Sequence, residues 1–381
     1  MLPSVQRCHR CGAPLDAPSN DGSSPELLDV DDLVTTELDE PETLAKPPAP
    51  YASGDRIADR WEVVEAHGAG PLGTVYRARD HHHDGRAAAV KVLWPGLFAD
   101  TTERDAFADA YRALVGRSLP RVATPTDLGV DPHGILWVAS PWVHGISLRS
   151  LLRAWRAADR RLERDQVLGV LQGTASALRE LHSVASHGAL YPENVAITPD
   201  GVVLLDPGLA ATLPPKRVVA RLMHFPEVLP YLSPEYLAGR RANAGADLHA
   251  LGALASELLT GDPARSAAHD FTLPDLGAEL EDAMRQLVSA QPAHRASALP
   301  LVLERLARVA GEASLPPYAP LPLPAPMVDA RTRRVKTIPR RAVEAVARAR
   351  KLSQVKLPAE RDEDKIETLP PGGKKPRGGA R

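Results

Sequence analysis

Apolar positions change their spacing once along the chain, and that change divides its body. From Arg60 to about Val143 the apolar residues alternate with polar ones in short runs: Arg60-Trp-Glu-Val-Val64, Thr74-Val-Tyr-Arg-Ala78 and Ala88-Ala-Val-Lys-Val-Leu93. Period-two runs broken by Gly and Asp predict strands of a small sheet. Beyond Ser147 the period lengthens to three or four. Val167, Leu168, Leu171, Ala175, Leu178 and Leu181 predict one long helix, and Leu248, Leu251, Leu254 and Leu258 predict another that stops at Gly261. A sheet lobe followed by a helical lobe predicts an α+β fold.

Outside this body the pattern fades. Segment 12–50 is rich in Pro, Asp, Glu and Ser, and the run from Pro316 to Pro326 reads as stiff polyproline. Charge follows the same division. Residues 16–45 carry ten acidic and no basic side chains, 331–381 carry sixteen basic and six acidic, and 46–330 is close to neutral. Same-sign ends read as solvated tails around a neutral body. The divisions expected are 1–15, an acidic disordered linker 16–54, a body 55–312 split near 143/144, a Pro-rich linker 313–330 and a basic tail 331–381.

At 381 residues, 44% apolar and 25% charged, the chain has enough apolar material for one or two cores. No run of eighteen apolar residues and no apolar leader occurs, so the expectation is a cytoplasmic protein without a membrane span. Two cysteines, Cys8 and Cys11, cannot staple a fold of this size. Cys8-His-Arg-Cys11 is half of a zinc-ribbon pattern, and a structural Zn2+ wants four ligands. Two chains could share a metal, or His9 and a distant group could contribute; an empty site is favoured. His81, His82 and His83 read as a hairpin tip.

Between two strand runs lies Gly68-Ala-Gly70-Pro-Leu-Gly73-Thr-Val75. Glycines so spaced let backbone approach a phosphate chain with amides free to donate. The motif precedes a strand, whereas dinucleotide binding needs a helix there. Eighteen residues after Gly73 stands Lys91. Of 30 basic residues in 1–330 only Lys46, Lys91 and Lys216 are lysine, so a compact ammonium in this strand looks selected for phosphate oxygens. Downstream, a turn at Pro199-Asp200-Gly201, if centred on Asp200, makes antiparallel partners sum to 400. That would place Asn194 opposite Asp206 at roughly 5 Å, two oxygen donors suited to Mg2+.

Glycine turn and strand lysine together resemble the protein-kinase family, and further segments are similar to its ordered signatures. Ser186-His187-Gly-Ala-Leu-Tyr-Pro-Glu-Asn194 resembles the catalytic loop, and Asp206-Pro-Gly208 the metal-binding Asp-Phe-Gly. Ser233-Pro-Glu235 resembles Ala-Pro-Glu, Asp247 opens the next long helix, and Arg295 matches the arginine that pairs with that glutamate. The resemblance runs from about Asp55 to Ala310. It implies a bilobal kinase-like fold of the bacterial Hanks-type Ser/Thr class. It also implies ATP held by Gly68, Gly70, Gly73, Val75, Lys91 and the hinge residues Pro141 and Val143, with Mg2+ on Asn194 and Asp206. Glu235, Asp247 and Arg295 would be structural.

Departures from the family fall on the transfer groups. Ala189 stands where the family has its catalytic aspartate, Tyr191 where it has a phosphate-contacting lysine, and Gly188 where it has an arginine. Counting along the chain, the glutamate that would pair with Lys91 falls on Ala110, leaving Lys91 to lean on Asp206 or on phosphate. Pro207 replaces the phenylalanine. The expectation is a pseudokinase that binds ATP and scaffolds other signalling proteins or kinases, with an upstream kinase acting at Thr35, Thr36 or Thr43. The alternatives are a working Ser/Thr kinase with an unusual base and a nucleotide-free interaction module. The basic tail has no interleaved aromatic residues, so nucleic acid is not expected as a partner.

Overall fold

The computed structural model describes residues 51–261, 278–296, 298–309 and 315–316. All belong to the larger of two compact units, Pro47–Arg381. Cys8, Cys11, Thr35, Thr36, Thr43, the acidic linker up to residue 50 and the basic tail lie outside the described residues, as does the Pro-rich linker apart from Leu315 and Pro316.

The first half is an antiparallel sheet of six strands: β1 (Arg56–Ile57), β2 (Trp61–Ala69), β3 (Gly73–Asp80), β4 (Arg86–Leu93), β5 (Asp127–Val130) and β6 (Leu136–Pro141). Their spatial order is β1-β2-β3-β4-β6-β5. Strand alternation gives this sheet two different faces. Trp61, Val63, Tyr76, Ala78, Val90, Val92, Trp137 and Ala139 form a cluster of their own on one side. The opposite parity, Leu93, Leu128, Leu136 and Val138, joins the main core. Lys91 shares parity with Leu93, so β4 aims it toward the body. The three histidines do sit at a hairpin tip, between β3 and β4, with His81 on Glu62 at 2.5 Å and His83 on Asp80 at 2.7 Å. Contacts of the sheet reach back to Tyr51, whose hydroxyl donates to Asp131 at 2.6 Å and whose ring meets Tyr76 edge-on.

Between β4 and β5 lies α1 (Thr101–Tyr111), capped by the Asp100 carboxylate accepting from the Glu103 amide at 2.8 Å. Then follow β7 (Ile146–Ser147), α2 (Leu148–Ala157) and α3 (Arg164–Leu181). Next come β8 (Val195–Thr198), β9 (Gly201–Leu204), α4 (Leu209–Thr212), α5 (Pro215–Leu222) and α6 (Pro234–Leu237). Last are α7 (Ala244–Thr260), α8 (Ala278–Leu287), α9 (Pro292–Ala296) and α10 (Ala298–Val309). The leucine periodicity places α3 and α7 as read. A capping box of Glu163 and Gln166 opens α3. Gly261 closes α7 at φ 74, donating to the Glu257 carbonyl. α7 is buried nearly all round and is the axis on which the helical lobe packs. Among the described residues no helix is long and apolar enough to cross a membrane.

One register differs from expectation. β8 and β9 pair Val195 with Leu204 and Thr198 with Gly201, so partners sum to 399. The turn is the two residues Pro199 and Asp200, not three centred on Asp200. Asn194 therefore lies opposite Leu205, whose amide donates to the Asn194 carbonyl at 2.9 Å, and Asp206 comes one residue later.

Candidate functional site

Lys91 reaches across from β4 and pairs with the carboxylate of Asp206, and only 9% of it is exposed. Asp206 leaves β9 at φ 53, in the left-handed region that a non-glycine residue enters at some cost. Asn194 ends a short turn over Pro192–Asn194. Its side-chain amide donates to the Ala189 carbonyl at 2.8 Å, and Oδ1 is the acceptor of the group. Asn194 and Asp206 are not direct strand partners: Asp206 follows Leu205, the residue opposite Asn194.

The loop before Asn194 is fixed from below. Asp247, in the first turn of α7 and 1% exposed, accepts from the amides of His187 at 2.7 Å and Gly188 at 2.8 Å, and from His182 Nε2 at 2.9 Å. Gly188 sits at φ 79, and a Cβ there would run into the backbone of Ala211. No side chain fits where the family has its arginine. Ala189 presents a methyl, 2% exposed. Tyr191 is buried with its hydroxyl beside the Asn194 amide, and burial pushes the phenol well above its ordinary value, so it stays protonated. Glu193 is taken by Arg149 at 3.0 Å, a guanidinium that also holds Glu257 at 2.6 Å. Glu235 pairs with the fully buried Arg295 at 2.7 Å, and Arg295 donates to the Gly245 carbonyl as well.

On α1, Ala110, where the count places the glutamate, is exposed and carries no carboxylate. The inward face carries Phe107, Ala108 and Tyr111, and none is a carboxylate. The aromatic pair stacks at 5.3 Å, and the Tyr111 hydroxyl donates to the Pro207 carbonyl at 2.9 Å. Asp109 points outward near Arg112.

Above the lysine, Gly68 lies in β2 opposite Val75, and nothing crowds the space a Cβ would take. Gly73 is different: a Cβ there would strike the Val92 carbonyl. The Gly70 amide turns inward to the Gly73 carbonyl at 2.8 Å. Pro71 has no amide to offer. Leu72 is buried in the main core. The hinge runs through Pro141, paired with Ala88, to Val143. Beside it the Trp142 ring meets His67 edge-on at 5.0 Å.

Sequence reasoning missed Trp94 and Arg221, which both hold the glycine turn. Trp94 donates its indole N–H to the Gly70 carbonyl at 3.0 Å, and Arg221 donates to the Pro71 carbonyl at 3.1 Å. Neither stands in a motif, so spacing carried no signal for them.

Asn194 and Asp206 would offer two hard oxygen ligands. Magnesium takes six, the others coming from phosphate and water, and no cluster of three or more His, Cys, Asp or Glu that could hold a metal alone occurs among the described residues. The donor set therefore fits a magnesium ion carried by a phosphate chain, with Lys91 as a point charge beside it.

Residues 61–300 match the family model described as "Protein kinase domain". The chain is 28% identical over 210 residues to the probable serine/threonine-protein kinase PknB of Lactococcus lactis, covering 55% of this chain and 32% of that protein. It is 24% identical over 298 residues to serine/threonine-protein kinase A of Synechocystis, covering 69% and 56%. The chain thus spans about a third to a half of the length of these curated relatives. Among solved structures it is similar to the PknI kinase domain of Mycobacterium tuberculosis, with a TM-score of 0.54 at 26% identity, covering 69% of this chain and all of that one.

Proposed function

The chain belongs to the protein kinase family, and from that premise we propose that it is a pseudokinase: a nucleotide-binding domain that regulates other signalling proteins without transferring phosphate at a useful rate. The family uses ATP and Mg2+, which together supply the phosphoryl group and the charge that steadies it. In this chain Lys91 would hold phosphate oxygens, Asn194 and Asp206 would hold the metal, and Pro141 and Val143 would offer a carbonyl and an amide to the base.

One observation carries the reading. At the point of the loop where a substrate hydroxyl must give up its proton there is the buried methyl of Ala189, and the acidic and phenolic groups beside it among the described residues are engaged or protonated. Glu193 is held by Arg149, Asp206 by Lys91, and the Tyr191 phenol stays protonated. Loss of a positioned base costs about 10² to 10⁴ in rate, and the missing lysine at Tyr191 adds to that.

Incubation of the purified chain with terminally labelled ATP, Mg2+ and a generic protein substrate tests this. The expected result is no incorporation above background, into itself or the substrate. Incorporation that Asp206→Ala abolishes would instead establish a working kinase with an unusual base.

The nucleotide-free alternative has its own support in the glycine turn, where Leu72 is packed into the core and Pro71 and Gly70 offer no outward amide. A thermal shift at millimolar ATP and Mg2+ separates the two, because only a chain that binds nucleotide in its folded state is stabilised.

A further inference from the structure

α5 lies in the segment between Asp206 and Glu235, and its two arginines, Arg217 and Arg221, stand one turn apart on one face. Arg217 reaches Glu103 on α1 at 3.4 Å. Arg221 reaches the glycine turn: Nε donates to the Pro71 carbonyl at 3.1 Å, and the guanidinium lies 5.2 Å from the Trp94 ring. Trp94 is itself tied to Gly70. A cation is therefore anchored on the backbone of the turn that the nucleotide-binding reading assigns to phosphate.

Its surroundings set Arg221 apart. Among the described residues the other arginines withdrawn from solvent meet carboxylates: Arg60 meets Asp80, Arg149 meets Glu257, and Arg295 meets Glu235. Arg221 is half-buried, burial pushes its guanidinium below the ordinary value, and no carboxylate among the described residues pairs with it. A desolvated cation with one neutral acceptor and a ring face is costly until an anion joins it. The site also lacks the cation that Tyr191 has displaced from the loop below.

We propose that Arg221 is a phosphate ligand supplied by the activation segment, its remaining guanidinium N–H groups taking the terminal phosphate of a nucleoside triphosphate seated at the glycine turn. The proposal rests on the nucleotide-binding reading and names the residue that tells triphosphate from diphosphate. A planar fork suits phosphate oxygens, and Nε, already spent on Pro71, fixes the direction in which the other nitrogens point.

Calorimetric titration of the full chain with ATP and with ADP, both with Mg2+, tests it in the wild type, Arg221→Gln and Arg221→Lys. The wild type should prefer ATP. Arg221→Gln should bind ATP about 10-fold or more weakly, in line with a lost charge-assisted hydrogen bond, with ADP affinity changed less than about twofold. Arg221→Lys should keep part of the preference, and it carries the comparison if Arg221→Gln does not fold. An unchanged ATP-to-ADP ratio in the variants overturns the proposal and leaves nucleotide binding standing. Tighter binding of both nucleotides by Arg221→Gln also overturns it, since Arg221 would then be a latch holding the turn shut. A wild type that binds neither nucleotide overturns the proposal together with the reading beneath it.

Discussion

Gly188 is fixed tightly by its neighbours. Its amide is held by Asp247, its φ is 79, and its missing Cβ leaves room for the backbone of Ala211. Gly188→Ala should therefore destabilise by roughly 1–3 kcal/mol, as overpacking does, and lower the melting temperature by about 2–4 °C per kcal/mol in a domain of this size. A scanning melt that shows no change would mean the loop is free to shift. His249 gives a pH prediction at the same scale. It is 6% exposed on α7, and burial, helped by the Arg295 cation, pushes its imidazole down to about 4. The unfolded chain titrates near 6.5, so between pH 6.5 and 4 it binds a proton that the folded chain refuses. Stability from this group is complete above pH 6.5 and falls as pH drops, by up to about 1.4 kcal/mol per pH unit, until the folded value is reached. Urea unfolding of His249→Gln across pH 4–7 should show a shallower acid slope than the wild type. Parallel slopes would remove His249 as a cause.

At the scale of elements, the sequence was most legible where one face repeats. α3 and α7 follow from leucine spacing and from Gly261, because a buried helix face leaves a long periodic record. α1 left a poor one. Its large apolar residues are Phe107 and Tyr111, set among alanines at 106, 108 and 110, so the spacing marks its buried face only weakly. The β8–β9 turn was ambiguous for another reason: Pro-Asp-Gly accommodates either centre, and only the pairing of Thr198 with Gly201 decides. The tie between α6 and α9, by contrast, was readable as a motif. Arg295 is fully buried on Glu235, whose other oxygen has no partner. Arg295→Met should strand that carboxylate and cost about 3–5 kcal/mol, seen as a lower urea midpoint. Replacing Glu235 by Leu in the same chain should recover part of the loss. A double variant as weak as the single one would show that the Gly245 contact, not the ion pair, carries the effect.

Across the whole molecule the two lobes share one interior. Leu93, Leu136 and Val138 of the sheet belong to the same core as α3 and α7, and backbone bonds from Ala123 to Leu204 and from Leu204 to Arg121 cross the junction. Lys91–Asp206 and Tyr111–Pro207 cross it too. Bilobal order was legible because the period of apolar residues changes at the junction, whereas these crossing contacts join residues about a hundred positions apart and leave no local pattern. The shared core means that the Lys91–Asp206 pair is a small part of what holds the lobes together. Lys91→Met should then cost the nucleotide-free chain only about 1 kcal/mol, since Asp206 keeps a quarter of its side chain in water. Its effect on nucleotide should be larger. Ligand at 100 times its dissociation constant stabilises by about 2.7 kcal/mol, so the wild type should melt roughly 5–10 °C higher with saturating ATP and Mg2+. Lys91→Met and Asp206→Asn should each lose most of that rise, and in the wild type chelation of Mg2+ should shrink it as well. Equal rises in all three proteins would place the nucleotide away from Lys91, because a pair that served only to join the lobes would change the starting temperature and leave the increment intact.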